Sequence, residues 1–336
     1  MDINKLDKIS FEKISEFRFS PGDIYWPRKS GKLTKLVSCG EIIQSDFILK
    51  FQKTCDELLI DNTTKSIVTN IVIDELKKLK ELSFEPDVKK IREKTMKWLA
   101  NGLWFQNTPF HLIDLVKVGD QVFMNFDIEQ RKKLQERSVM FYSRGALIGG
   151  LFSLLAFSLG YIDYKFLQDL YHVAFLLDYD FGGETSTFNI NNALEEERVI
   201  AGTGSTFLKS AGCTKELSSF ISHTTTSFNI TQKEFEKTFH NKNVLKLIKY
   251  HHEKINGKGF PKEVIGLQMN DLLELLIFSC NFFQFEFHKF EYNDGKGLLQ
   301  VKGKDDVQYG ENISRNLYHQ LESVFSMFDQ DREDVA

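Results

Sequence analysis

The chain of 336 residues is 42% hydrophobic and 27% charged, proportions that are typical of a soluble globular protein. This length is sufficient for two domains, or for one large core with a small appendage. The net charge of −4 provides no excess of basic residues, so we expect no nucleic-acid partner.

The cysteines and the N-terminus predict the cellular compartment. The cysteines are widely spaced and form no CxxC motif, which favours reduced thiols over a disulfide framework: Cys39, Cys55, Cys213 and Cys280. The opening run MDINKLDKISFEK is charged throughout and lacks the apolar core of a secretory signal. We therefore expect a cytoplasmic protein.

Residues 1–62 are predicted to form a small, β-rich N-terminal module of α/β type. Turn signals at Pro21-Gly22 and Lys29–Gly31 are separated by short apolar runs, as in a β-meander. Ser45-Asp46 is a suitable cap for a following helix, because apolar residues recur near helical spacing as far as Leu59.

The remainder of the chain is predicted to be mainly α. Residues 63–124 are expected to form a helical linker that is interrupted at Pro86. Residues 125–330 are expected to form a larger helical domain. Near its end, Asp294–Gly297 separates two alternating runs, which predicts a short C-terminal hairpin.

One uncharged stretch, Gly145–Ile162, just reaches the length of a transmembrane helix. It contains four glycines and two serines, and Arg144 and Asp163 bracket it. A fully buried helix at the centre of an α-helical core has the same pattern. We predict such a core helix and no membrane span.

The run HHEKINGKGFP, from His251 to Pro261, is the most informative part of the chain. Two adjacent histidines followed by Glu253 are unusual on a surface, because neutral histidine is above all a metal ligand near pH 7. Gly257 and Gly259 permit a turn that brings the backbone close to a ligand. The run therefore predicts a metal site beside a glycine turn.

This run resembles the signature HHExxDGxGYP of HD-GYP domains, which belong to the HD superfamily. Both histidines, Glu253, both glycines and Pro261 match, whereas Asn256 replaces the Asp and Phe260 replaces the Tyr. The resemblance covers about residues 130–325. It implies an all-helical core that binds two or more metal ions and opens the cyclic dinucleotide c-di-GMP with a metal-bridging hydroxide.

The resemblance also implies a set of metal ligands, of which this chain retains one part. One metal of the family is held by the Asp of a His-Asp pair, a middle His and the HH pair, which match Asp180, His223, His251 and His252. At the other metal, the ligands are replaced by Tyr142, Tyr179 and Asn281. We therefore expect one site for a transition metal, iron or manganese, beside a second site that is lost.

Four alternatives are open at this point. Asp178 lies two residues from Asp180, so a shift of the alignment exchanges their roles. His223 is also compatible with a loop position. Tyr142 and Tyr179 would still coordinate ferric iron, which accepts tyrosinate. The histidine cluster is also compatible with a purely structural role.

The glycine turn is also the predicted site of substrate binding. Lys254 and Lys258 lie beside Gly257 and Gly259 and could meet a phosphate as point charges. A solvated basic loop is an equal alternative. The Arg-rich stretch that completes the pocket in the family is replaced by the apolar and acidic run NFFQFEFHKFEY.

The pattern of retained and lost ligands predicts a degenerate HD-GYP protein of c-di-GMP signalling that is catalytically impaired or inactive. It would bind c-di-GMP, a related nucleotide or a signalling partner. The alternative is an active metal-dependent c-di-GMP phosphodiesterase in which Glu253 or Asp180 orients the attacking water. A third hypothesis is a structural adaptor in which the histidines are vestigial. The sequence makes no prediction about the oligomeric state.

Overall fold

The computed structural model contains a small N-terminal sheet and a larger helical core. It describes residues 6–15, 20, 22–28, 30–37, 43, 48, 50–61, 67–82, 85–105, 112–181, 215–255, 257, 259–261, 270–283 and 314–329. The predicted mainly α class is confirmed. The predicted C-terminal hairpin lies outside the described residues.

Four strands form an antiparallel sheet in the order β1-β4-β2-β3. The strands are β1 (Asp7–Ser10), β2 (Asp23–Pro27), β3 (Leu33–Val37) and β4 (Glu57–Asp61), and α1 (Phe11–Ser15) follows β1. Ile24 pairs with Ile60, and Ile9 pairs with Leu58. Because successive side chains alternate across a strand, these residues share one buried face.

The prediction of a helix extending to Leu59 is wrong. Lys50–Lys53 forms only a short 3-10 helix, and Leu58 and Leu59 lie in β4. Along β4, Leu58 and Ile60 are buried and their neighbours are more exposed, which is the period of a strand. Pairing with β1 on one side and β2 on the other stabilises this strand against the helical alternative.

Helices form the larger core. In chain order they are α2 (Ile67–Lys77), α3 (Glu85–Leu99), α4 (Leu112–Val118), α5 (Ile128–Arg137), α6 (Val139–Ser158), α7 (Tyr164–Val173), α8 (Lys215–Phe235), α9 (Lys246–Tyr250), α10 (Asp271–Phe282) and α11 (Arg315–Ser326). The helical linker is interrupted between α2 and α3, close to the predicted position. Pro86 itself lies just after this interruption, in the first turn of α3, where proline is tolerated.

Polar N-caps explain where several of these helices begin. Each cap side chain accepts a hydrogen bond from the backbone N–H three residues later: Asp127, Ser138, Asp163, Asn270 and Ser314. Such a bond satisfies one of the N–H groups that have no partner within the helix.

One hydrophobic cluster extends from α2 to α11. It therefore includes apolar residues of the predicted linker, 63–124, together with residues of the predicted domain, 125–330. A second and smaller cluster lies around the N-terminal sheet. The domain boundaries themselves stay a prediction.

Helix α6 lies at the centre of the larger cluster. Its segment Met140–Ser158 is long and apolar enough to cross a membrane, yet 83% of its most apolar window is buried inside the protein. Glycines on this helix allow its neighbours to approach closely. A Cβ atom at Gly145 would lie 2.8 Å from Cα of Phe175, and one at Gly150 would lie 2.7 Å from the carbonyl oxygen of Leu115. This packing favours the predicted core helix over a membrane span.

Two isoleucines test the packing of α6. Ile148 in α6 has no exposed surface, whereas Ile128 at the start of α5 is 76% exposed. We expect Ile148→Ala to lower the free energy of unfolding by about 2–5 kcal/mol, because it leaves a cavity in the core. The control Ile128→Ala should change it by less than about 0.5 kcal/mol. Urea denaturation followed by circular dichroism measures both, and equal small losses would contradict the central position of α6.

Candidate metal centre

Four potential ligands from three parts of the chain meet inside the helical core. Asp178 lies in the turn that follows α7, His223 lies in α8, and His251 and His252 lie in the turn after α9. One ligand atom from each residue lies within 4.8 Å of the other three. Asp178, His223 and His251 are buried, and His252 is half-buried.

Hydrogen bonds to the backbone fix the orientation of two of the histidines. Nδ1 of His251 donates to the carbonyl oxygen of Ile248 at 2.7 Å, and Nδ1 of His223 donates to that of Phe220. A carbonyl oxygen only accepts, so each Nδ1 carries a proton, and Nε2 is the ring nitrogen left available to a metal ion. Among the described residues, neither of these buried Nε2 atoms has a hydrogen-bond partner.

The geometry around Oδ1 of Asp178 fits a cation. Burial lowers the pKa of His223, so its imidazole is neutral, and a lone pair then faces a carboxylate oxygen. Oδ1 lies 3.5 Å from Nε2 of His223 and 3.6 Å from Nε2 of His251. A tetrahedral ion with bonds of about 2.1 Å has ligands about 3.4 Å apart. Burial also lowers the pKa of His252 well below its usual value, leaving that imidazole neutral as well. Three imidazoles and one carboxylate therefore fit a transition metal.

The second oxygen of Asp178 binds a guanidinium. Oδ2 lies 2.5 Å from Nη1 of Arg144, and both side chains are only 4% exposed. Burial alone would raise the pKa of Asp178, but the guanidinium of Arg144 outweighs it and holds this pKa well below its usual range. The carboxylate is therefore an anion that faces a cation on one side and imidazole nitrogens on the other.

Aromatic rings enclose the histidines. The ring centroid of Phe181 lies 4.2 Å from that of His223, and Phe260 stacks on His252 with 4.7 Å between centroids. Phe220 lies 5.5 Å from His252. On the sides that these rings cover, apolar surface takes the place of solvent.

The glycine turn is shaped to place Phe260 on His252. Gly257 has a φ of +75°, which favours glycine, and a Cβ atom at Gly259 would lie 2.3 Å from the backbone nitrogen of Lys254. The N–H of Phe260 then donates to the carbonyl oxygen of His252 at 3.1 Å. The positive φ accounts for Gly257, and the close approach of backbone to backbone accounts for Gly259.

Three other residues with predicted roles lie in or near this turn. Glu253 has no exposed surface, and its N–H donates to the carbonyl oxygen of Tyr250 at 2.9 Å. Lys254 is half-buried, and Lys258 lies outside the described residues. The catalytic role of Glu253 and the nucleotide-binding role of Lys254, Lys258 and the two glycines stay predictions.

Asp180, which the sequence analysis assigned as a ligand, lies outside the group of four. Its N–H donates to Oγ of Ser227 at 3.0 Å, and its side chain is half-buried. Burial raises the pKa of Asp180, although His223 and Arg137 act in the opposite direction. The structure places Asp178 among the ligands instead, because the turn after α7 buries its side chain beside Arg144. The group of four favours Asp178 over Asp180, and the assignment of the ligands stays a prediction.

The three residues predicted to mark a lost site also lie outside the group. Tyr142 packs on Phe175 with 5.0 Å between ring centroids, and burial raises the pKa of its phenol to about 12. The hydroxyl of Tyr179 donates to Oε2 of Glu234 at 2.9 Å. The amide Nδ2 of Asn281 donates to the carbonyl oxygen of Ile277 at 2.9 Å.

The cavity beside Asp178 is very small. It is lined by residues that include Arg137, Phe141, Tyr142, Asp178 and Tyr179, and its volume is about 10 Å³. This is about the space that one water molecule requires.

Sequence reasoning missed Arg144 as part of the site. Arg144 is the single charged residue near the start of a long apolar helix. In the sequence analysis it served only to mark the end of the uncharged stretch Gly145–Ile162. A buried arginine requires a partner, and a buried aspartate is the most direct one. This rule would also have distinguished Asp178 from Asp180.

Comparisons with known proteins give one distant neighbour. No protein-family model matches the chain, and no curated protein matches it significantly. Among solved structures, the chain is similar to Bd1817, an HDG"Y"P protein from Bdellovibrio bacteriovorus, with 16% sequence identity and a TM-score of 0.40. The alignment covers 96% of this chain and 99% of that protein. At this distance, site and function are inferred from the residues of the chain itself.

Two aspartates two residues apart test the ligand set. Asp178→Asn removes the negative charge at the centre, and we expect its affinity for a divalent metal to fall at least about tenfold. Asp180→Asn should leave the metal affinity unchanged. Competition with a chromophoric chelator measures both affinities, and near-UV circular dichroism verifies that each variant is folded. A loss of affinity confined to Asp180→Asn would restore the original assignment.

Proposed function

We propose that this chain is a degenerate HD-GYP-like protein of c-di-GMP signalling, with one buried transition-metal ion and little or no hydrolytic activity. In the cytoplasm it would bind c-di-GMP or a related nucleotide, or dock to a signalling partner. The observation that carries the proposal is the group formed by Asp178, His223, His251 and His252, whose ligand atoms meet in the core. The run at 251–261, which resembles the HD-GYP signature, supports the proposed family.

The closed form of the ligand group supports a structural metal. Structural zinc sites have four protein ligands, whereas catalytic ones keep a position open for water or substrate. Here four protein ligands are available, and Phe181 and Phe260 cover two of the imidazoles. The adjoining cavity of about 10 Å³ is far smaller than a cyclic dinucleotide.

The surroundings of Asp178 support loss of hydrolysis. In the family that the chain resembles, the two metals that hold the hydroxide also share one carboxylate. In this chain Oδ2 of Asp178 is bound to Arg144, and Tyr142, Tyr179 and Asn281 have partners elsewhere. Iron and manganese are the metals that we favour, since a mixed set of imidazole and carboxylate ligands suits both.

A role in nucleotide binding rests on the lysines near the glycine turn. Lys254 is half-buried and lies two residues after His252 in sequence, and Lys258 lies two residues before Phe260. Lysine binds phosphate as a point charge, so both would act on an anionic ligand at the surface of this turn. Such a ligand would lie outside the metal centre.

Glu253 supports the second candidate function, an active metal-dependent c-di-GMP phosphodiesterase. It has no exposed surface and follows the two adjacent histidines. A buried carboxylate next to a metal site can hold a water molecule by a hydrogen bond and act as a general base. Asp180, which is half-buried nearby, is the other residue that would take this role.

The metal content of the purified protein is the first test. We expect about one equivalent of metal per chain in protein prepared without chelator, and addition of a chelator should lower the melting temperature because metal binding stabilises the fold. His251→Ala should lose both the metal and the effect of the chelator. The control His319→Ala, at an exposed histidine, should behave as the wild type. Absence of metal from a folded wild type reconstituted with Fe²⁺, Mn²⁺ or Zn²⁺ would refute the centre.

Hydrolysis and binding of c-di-GMP separate the two candidate functions. Metal-loaded wild type should convert no c-di-GMP above the rate of His251→Ala, because one metal provides no bridging hydroxide. Equilibrium dialysis with labelled c-di-GMP should detect binding that Lys254→Gln weakens. Turnover that depends on both His251 and Glu253 would establish the phosphodiesterase instead. Absence of both turnover and binding would leave partner docking as the function.

A further inference from the structure

The two oxygens of Asp178 have opposite surroundings. Oδ1 faces the imidazole nitrogens of His223 and His251 at 3.5 and 3.6 Å, which is where a metal ion fits. Oδ2 faces Nη1 of Arg144 at 2.5 Å. A metal ion at the histidines and the guanidinium of Arg144 would therefore share one carboxylate, one cation on each oxygen.

Arg144 is held firmly in this position. Its Nε donates to the carbonyl oxygen of Phe283 at 2.7 Å, and its Nη2 donates to that of Cys280 at 3.4 Å. The residue is 3% exposed, so solvent screens its charge very little. A guanidinium does not lose its proton in proteins, so this positive charge is permanent.

The charges of the centre favour an ion of low charge. An imidazole that binds a metal through a lone pair carries no charge, so the three histidine ligands, one carboxylate and one guanidinium together sum to zero before the charge of the metal is added. Each further positive charge on a bound ion is then uncompensated and repels Arg144 through a medium of low dielectric constant. The centre therefore accepts a divalent ion more readily than a trivalent one. A second metal ion cannot bind Oδ2, because the guanidinium of Arg144 already occupies that position.

We propose that Arg144 is the residue that determines metal number and charge in this centre: bound to the outer oxygen of Asp178, it limits the site to one metal ion and selects the divalent state. This inference rests on the proposed metal centre. Arg144 acts on the metal through Asp178 and is a positioning residue. In an iron-loaded protein it would raise the midpoint potential of the Fe³⁺/Fe²⁺ couple.

Arg144→Gln and Arg144→Lys test this role against a merely structural one. Glutamine removes the charge and keeps a hydrogen-bond donor, whereas lysine keeps the charge. We expect Arg144→Gln to bind Zn²⁺ about tenfold more tightly than the wild type, because the repulsion is gone, and to lower the midpoint potential of bound iron. Arg144→Lys should resemble the wild type in both. The control Arg137→Gln, which removes a nearby arginine that stacks on Tyr179, should change neither.

The outcomes separate the inference from the proposed function. If Arg144→Gln binds Zn²⁺ more weakly and leaves the potential unchanged, Arg144 only supports the structure and the inference is overturned. Two Mn²⁺ ions bound per wild-type chain in an excess of Mn²⁺ would overturn it as well, even if Arg144→Gln fails to fold. A folded wild type that binds no metal would refute the proposed function itself.

Discussion

One buried carboxylate, that of Asp178, connects several helices of the core. Removal of a carboxylate from water costs several kcal/mol unless other groups compensate for the loss. Arg144 of α6 compensates at one oxygen and is itself fixed by the Phe283 carbonyl oxygen after α10, while His223 of α8 and His251 after α9 face the other oxygen. Breaking such a pair by removing one partner typically costs about 3–5 kcal/mol. The ion pair and the packing of the helices are therefore one structural unit, and the geometry of the site follows from the fold of the core.

The aromatic residues around this charge explain why the centre is enclosed. In the run at 251–261, Phe260 takes the place of a tyrosine of the signature, and its ring stacks on His252. A phenylalanine ring has no polar group that would hold water beside the imidazole, so it lowers the local dielectric constant and strengthens every charge interaction nearby. The close approach at Gly259 makes this stacking possible. The same substitution that departs from the signature therefore also closes the site.

Much of the site could be predicted from the sequence, because adjacent histidines in a glycine turn are distinctive even without a structure. The predicted ligands His223, His251 and His252 lie together in the group of four. The choice between Asp178 and Asp180 was not possible from spacing, since it depends on which side chain the turn after α7 buries. Arg144 was missed because its partner lies 34 residues further along the chain and is defined only by the packing of α6 against that turn. In the N-terminal sheet, the chain turns at Gly31 as predicted. The helix predicted to extend to Leu59 was wrong, because strand pairing, a long-range effect, overrode local spacing.

The meeting of four potential ligands in the core has a physical explanation that requires no substrate. In a buried site, the free energy of metal binding is also free energy of folding, because the unfolded chain has no preformed group of ligands. His223 lies in α8 and His251 lies in the turn after α9, so an ion held by both would stabilise the packing of these two segments. Loss of any one ligand would leave the remaining buried polar atoms without a partner, at a cost of about 1–3 kcal/mol for each. Stability alone is therefore a sufficient reason for the histidines and Asp178, and their presence does not by itself indicate an active enzyme.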